Sequence, residues 1–260
     1  MNLYTENEEK WKLLMEIDFF THFVKAWVAF NAWYKNNFPD VDTDRTAINK
    51  IKNNPNRVKS RFNSLIGGTN EESEIFKNNL GQLHYFLLNN EINNNDTRIY
   101  FESFVVELDR SCLEQRKEVR NIKYYVKLTL TKDKITYVIA TVKNSSSNTL
   151  LNYNHSIYDI NHLLDDDNFK RLTDNQKDNI QALYREANPK KPTCFLTTDE
   201  SNYIKIGSYK FINDTELLFK GLVEILYNLR NVLFHGQIIP DKNTNQVYEP
   251  AYKILKMLLQ

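Results

Sequence analysis

Leu218, Leu222, Ile225, Leu229 and Val232 recur at intervals of three and four, a pattern that leaves their segment one choice of structure, an amphipathic helix buried along one face. Asn213 and Asp214 are placed to cap its start, and Gly236 falls where a helix C-terminus takes a left-handed residue. Pro240 bars continuation soon after. The helix closes on Arg230-Asn231-Val232-Leu233-Phe234-His235-Gly236, which sets His235 in the last turn, at the negative end of the helix dipole. A stripe of this width needs other helices to cover it, so the rest of the chain is read for partners.

Asn231 and His235 are four residues apart, about 40° on a helical wheel, and face one cleft. Arg230 is about 140° from His235 by the same arithmetic, so it joins the pair only by reaching around, or by serving a symmetry mate. Two readings stand at this point. One is a helix-end His bonding the last carbonyls and an Arg paired with a surface carboxylate; the other is a polar site.

The N-terminal segment from Glu8 to about Asn37 is expected to be one long helix. Phe20, Val24, Trp27 and Tyr34 form one stripe and Phe19, Phe23, Phe30 and Trp33 the adjacent one, a surface wide enough for a central helix. Asn31 falls within the first stripe, where a buried amide needs a partner: it either ties two helices together or orients Arg230 or His235. Arg45 to Gly68 carries Arg45, Lys50, Lys52, Arg57, Lys59 and Arg61 without an acid, split by Pro55 into two short helices with Ile48, Ile51, Val58, Phe62 and Leu65 inward. Those six cations read either as a phosphate-tracking surface or as a solvated helix face. Helices follow at Glu71 to Leu88, with Ile75, Leu80, Leu83 and Leu87 inward and His84 structural, and at Tyr100 to about Glu118. Asn89 to Asp96 is a polar loop.

The period then falls to two. Tyr124 to Leu130 and Ile135 to Val142 form a hairpin around Thr131-Lys132-Asp133-Lys134, and Tyr203-Ile204-Lys205-Ile206 forms a second with Tyr209-Lys210-Phe211-Ile212 around Gly207-Ser208. Short helices at Ile157 to Leu164 and Asn175 to Ala187 lie between them. Asp165-Asp166-Asp167 lacks the alternation of a calcium loop, and Cys112 and Cys194 match no metal spacing, so neither metal nor cofactor is expected. The fold class is therefore mainly α (α+β).

The Arg230-Asn231 pair followed by His235 resembles the motif of the HEPN (higher eukaryotes and prokaryotes nucleotide-binding) family, whose ribonuclease members carry Arg, a polar residue and then His. Trp27-Val28-Ala29-Phe30-Asn31-Ala32-Trp33-Tyr34 is similar to the first helix of HEPN proteins of bacterial defence and toxin systems. Val247, Tyr248, Pro250, Ala251, Tyr252, Ile254 and Leu255 are similar to the closing helix after the His. The resemblance covers both ends and leaves the middle uncovered. It implies a single HEPN-like domain, a helical bundle from 1–118 and 213–260 with a mixed region inserted at about 119–212.

It further implies a homodimer in which two motifs share a cleft, and a metal-independent endoribonuclease acting as a toxin or antiphage-defence effector. His235 would move protons, Arg230 hold the phosphate and Asn231 orient, supported by Asn31, with RNA the partner and an antitoxin or defence-system protein a further one. Alternatives are a noncatalytic HEPN module that binds nucleotide or protein, and a sensor or scaffold subunit whose hairpins dock a partner. Net charge is only +1, so RNA contact has to come from local patches. The acidic residues Glu6, Glu8 and Glu9 do not suit a signal peptide, and no apolar run approaches the ~18 residues of a membrane span, so the expected location is the cytoplasm, without membrane contact.

Overall fold

The computed structural model describes residues 18–94, 97–102, 104–106, 108–131 and 134–260. The chain is α+β with helix predominant. It divides into two units: one joins the described residues up to Val106 to Thr193–Gln260, and the other ends at Pro192.

The first unit is built on α1 (Phe19–Asn37), α2 (Asp44–Asn53), α3 (Arg57–Gly67) and α4 (Glu71–Asn89), followed by a two-residue hairpin, β1 (Asn93–Asn94) and β2 (Thr97–Arg98). Asp18 caps α1; the expected start of that helix at Glu8 lies outside the described residues. Thr43, Asn56 and Asn70 cap the next three by accepting a backbone N–H two or three residues into each helix. The unit resumes at Thr193 and takes in the rest of the described chain.

The second unit holds a 3₁₀ turn (Arg110–Cys112), β3 (Glu114–Val119), β4 (Ile122–Thr131), β5 (Lys134–Lys143), β6 (Thr149–His155), α5 (Ile160–Asp165), α6 (Asp167–Lys170) and α7 (Asp174–Glu186). Its strands run antiparallel in the order β3-β4-β5-β6. The β3–β4 turn places Arg120 and Asn121 at φ 51° and 63°, the pair of left-handed residues that a two-residue hairpin requires. Tyr124, Val126 and Leu128 of β4, Val138, Ala140 and Val142 of β5, and Leu151 and Tyr153 of β6 face α5–α7, where Leu163, Phe169, Ile180, Leu183 and Tyr184 complete a separate core. Only one face of the sheet is covered in this way, and its strands accordingly alternate buried and exposed.

Back in the first unit, β7 (Tyr203–Ile206) and β8 (Tyr209–Ile212) form a hairpin turned by Gly207 at φ 59°, followed by α8 (Thr215–Phe234) and α9 (Lys242–Leu259). Leu218, Leu222, Ile225, Leu229 and Val232 of α8 are all buried in the same core as Trp27, Phe30 and Tyr34 of α1. Helix α9 packs along α1 and α4, and its Tyr248 hydroxyl, fully buried, donates 2.8 Å to the Leu229 carbonyl of α8. Gly221 of α8 lies against the Phe195 ring, closer than any Cβ would allow.

Three expectations are corrected. Tyr100 to Glu118 is not a helix: Phe104 exchanges backbone hydrogen bonds with Thr193 (2.9 and 2.8 Å), Phe195 donates to Phe101 (2.9 Å), and β3 pairs with β4. Thr193 and Phe195 are distant in sequence and β4 follows β3 after a two-residue turn; both pairings win over a local helical spacing. The middle unit therefore begins after Val106 and ends at Pro192, rather than spanning 119–212, and the β7–β8 hairpin belongs with the helices, its Ile206 and Phe211 in their core. The β4–β5 hairpin forms as expected, with β3 and β6 added on either side to make a four-stranded sheet. Ile75 is exposed, and Phe76 takes the inward place on α4.

Candidate functional site

Helix α8 ends as its sequence requires. His235 is the C-cap, Gly236 stands at φ 64°, the Gln237 N–H donates to the Val232 carbonyl (2.8 Å) and the Gly236 N–H to that of Leu233 (3.3 Å). This paired closure satisfies two of the helix's terminal carbonyls, and it leaves the His235 side chain to solvent. The imidazole makes no hydrogen bond or ion pair among the described residues.

Arg230 lies one turn back and is mostly buried, its side chain 18 % exposed. Its Nη2 donates to Asp44 Oδ2 (3.0 Å) and its Nη1 to Asn231 Oδ1 (2.9 Å), with the guanidinium 4.5 Å over the Phe234 ring. Asp44 is in the first turn of α2, where the helix dipole favours a carboxylate. Its other oxygen accepts from the Tyr34 hydroxyl (2.8 Å), which in turn accepts from Asn31 Nδ2 (2.7 Å). A continuous chain, Asn31 to Tyr34 to Asp44 to Arg230 to Asn231, thus crosses α1, α2 and α8. Burial raises the Tyr34 pKa well above the ordinary phenol value, and the bond to Asp44 adds to it, so the hydroxyl remains a donor at any physiological pH. Arg230 Nε is buried without an acceptor.

Four of the expected site residues, Arg230, Asn231, His235 and Asn31, are therefore treated unequally. Arg230, Asn231 and Asn31 share one network; His235 stands outside it on the same helix. Asp44 and Tyr34 are members that the sequence reading missed. Tyr34 carries a polar tip within an apolar stripe, three residues after Asn31, which is the kind of residue that seeks a buried partner. Asp44 immediately precedes the cationic run.

That run is mostly committed to the protein itself. Lys52 is a correction: at 2 % exposure it is buried, donating to Glu224 Oε2 (2.8 Å) and the Val106 carbonyl (2.9 Å), and it cannot meet a phosphate. Arg45 takes the other oxygen of Glu224 (2.6 Å) and lies 4.4 Å over the Tyr227 ring. Lys59 pairs with Glu216 (2.5 Å), Arg61 with Glu72, and Arg57 donates to the Gln260 carbonyl (2.6 Å). Lys50 alone of the six has no such bond among the described residues. The acids missing from the run are supplied by α4 and α8.

His84 sits in a ring of Phe101, Tyr209 and Phe211, with Tyr209 closest at 4.4 Å between centroids, and burial lowers its pKa. Asp166 caps α6 and Asp165 pairs with Lys170 (3.6 Å). Among the described residues no three His, Cys, Asp or Glu side chains are grouped to hold a metal ion, and no helix is long and apolar enough to cross a membrane. Among known proteins, no family model, no curated sequence and no solved structure matches this chain.

Proposed function

We propose that this chain is a metal-independent endoribonuclease of the HEPN type. The observation that carries the reading is the end of α8: a guanidinium held by Asp44 and Asn231 through two of its five N–H donors, followed within five residues by an exposed imidazole. RNA brings its own nucleophile. His235, as base, takes the 2′-hydroxyl proton and the oxygen attacks the adjacent phosphorus; the P–O5′ bond breaks and the 5′-oxygen leaves with a proton from water, which the protonated His235 makes good, giving a 2′,3′-cyclic phosphate. Arg230 offers a planar fork to the phosphate oxygens, and Asn231 and Asp44 keep that fork in one orientation.

His235 and Arg230 project from α8 about 140° apart, so the reading includes a homodimer in which one copy's His235 meets the other's Arg230. It also includes the role of toxin or antiphage effector, restrained by a partner protein, in the cytoplasm.

A second reading, a noncatalytic HEPN module, is favoured by one observation. Arg230 is bonded to Asp44 and lies on Phe234, as a purely structural arginine would be. Incubating the purified protein with total RNA in EDTA separates the two. Fragments ending in 2′,3′-cyclic or 3′-phosphate, lost in His235→Ala, support the enzyme. Intact RNA, or cleavage that needs added magnesium, refutes it.

A further inference from the structure

The second unit covers one face of its sheet with α5–α7 and leaves the other to solvent. The register sets out what that open face presents. Arg116 of β3 stands opposite Tyr125 of β4, which stands opposite Thr141 of β5, and Thr141 opposite Asn152 of β6. In the next row Lys123 is opposite Lys143; one row the other way Lys127 is opposite Ile139, and then Thr129 opposite Tyr137, whose ring is 43 % exposed.

Arg116, Lys117, Lys123, Tyr125, Thr141 and Lys143 line an open groove of about 500 Å³. Glu114 pairs with Arg116 (2.5 Å) and Glu118 stands opposite Lys123, yet Lys123 and Lys143, facing each other on the open side, are exposed and make no ion pair among the described residues. The groove therefore carries surplus positive charge beside an aromatic ring. The Arg116 guanidinium lies 5.2 Å over that ring.

We propose that this open sheet face binds single-stranded RNA. The occupant follows from the chemistry. Unpaired bases have π-faces that stack on tyrosine rings and guanidinium planes, while lysines spaced at the margin take the phosphates. A duplex keeps its bases stacked on one another and offers Tyr125 nothing to stack on. Polar Thr141 and Asn152 in the same row suit base edges, where an apolar peptide would want branched aliphatics. The choice of RNA among polyanions rests on the ribonuclease reading; the binding itself does not require cleavage.

The test uses the full-length protein and a fluorescent 12-residue oligoribonucleotide with 2′-O-methyl groups, which lacks the attacking hydroxyl, so binding is read without cutting. Anisotropy should show tighter binding of the single strand than of its duplex. Lys123→Glu with Lys143→Glu should weaken it at least tenfold and reduce the slope of log affinity against log salt by about 1.4, the value for two lost phosphate contacts on a single strand. Tyr125→Ala should weaken it roughly 5- to 150-fold, one base's stacking, while Tyr125→Phe stays near wild type. Thermal midpoints establish that each variant is folded. Unchanged affinity in the folded variants, preference for duplex, or tighter binding of a polyglutamate peptide overturns the proposal. RNA cleavage that survives these substitutions counts for the enzyme and against this surface only; binding without any cleavage does the reverse.

Discussion

Glu224→Gln isolates the polar knot that ties α2 to α8. The wild-type carboxylate accepts from Lys52, 2 % exposed, on one oxygen and from Arg45, 40 % exposed, on the other. The amide keeps the shape and one acceptor, but it leaves the Lys52 ammonium buried with no counter-charge and only the Val106 carbonyl assured. Removing one partner of a buried pair costs about 3–5 kcal/mol. Arg45 adds little to this, since an exposed cation returns to water. Lys52→Met deletes the ammonium while keeping the stem, and Glu224 retains Arg45 and Asn228 Nδ2 (3.3 Å), so its cost should be roughly 1–3 kcal/mol. The double variant should cost less than the sum, because the stranded charge has gone. Tryptophan fluorescence in urea or on heating reads this unit, Trp27 being buried in its core and Trp33 packed against it. At about 2–4 °C per kcal/mol, Glu224→Gln should lower the midpoint by roughly 6–20 °C. A loss under about 1 kcal/mol, or strict additivity in the double variant, would refute the argument. Weakened RNA binding in a Lys52→Met protein of full stability would restore the phosphate-binding reading of that lysine.

His235→Ala should leave the unfolding midpoint within about 0.5 kcal/mol of wild type, the side chain being exposed and unbonded, while lowering the cleavage rate roughly 10²–10⁴-fold in single-turnover assays. Tyr34→Phe removes the hydroxyl between Asn31 and Asp44 and should cost about 1–3 kcal/mol by urea titration; a neutral result would mean the chain of bonds does not hold α1 to α2. Gly236→Ala, at φ 64°, should cost about 1 kcal/mol or more by the same measure, and stability equal to wild type would contradict the closure drawn for α8. His84 has its pKa lowered by burial from an ordinary value of 6.5, so its contribution is present above that pH and is lost as pH falls, when the unfolded chain takes up a proton that the folded one resists. Urea midpoints at pH 7.5 and 5.5 should differ less in His84→Phe than in wild type, and an identical difference would exclude this residue as a cause.

The stripe of α8, its cap at Asp214 and its glycine closure were legible because each depends on neighbours within one or two turns. The same holds for α2 and α3, parted at Pro55, and for both hairpins. The stretch after Tyr100 was not, because its hydrogen bonds go to Thr193 and beyond, and spacing carries no trace of so distant a strand. The cations from Arg45 to Arg61 were visible as a run, yet what decides their role is Glu216 and Glu224 on α8 and Glu72 on α4. Likewise Arg230 stands out in the sequence, while Asp44, 186 positions away, is what orients it.

The bridge between Phe104 and Thr193 has a consequence for the order in which the protein matures as it leaves the ribosome. Every residue of the sheet unit is contiguous, so that unit has all its partners once Pro192 has emerged. The helices made earlier do not: Trp27, Phe30 and Phe62 wait for α8 and α9, synthesised more than a hundred residues later, before their apolar faces are covered. During that interval the nascent chain is a finished sheet unit trailing an open set of sticky helices, the state that chaperones attend. The half bearing Arg230 and His235 closes after the sheet unit, so its proposed chemistry would be withheld until α9 has emerged.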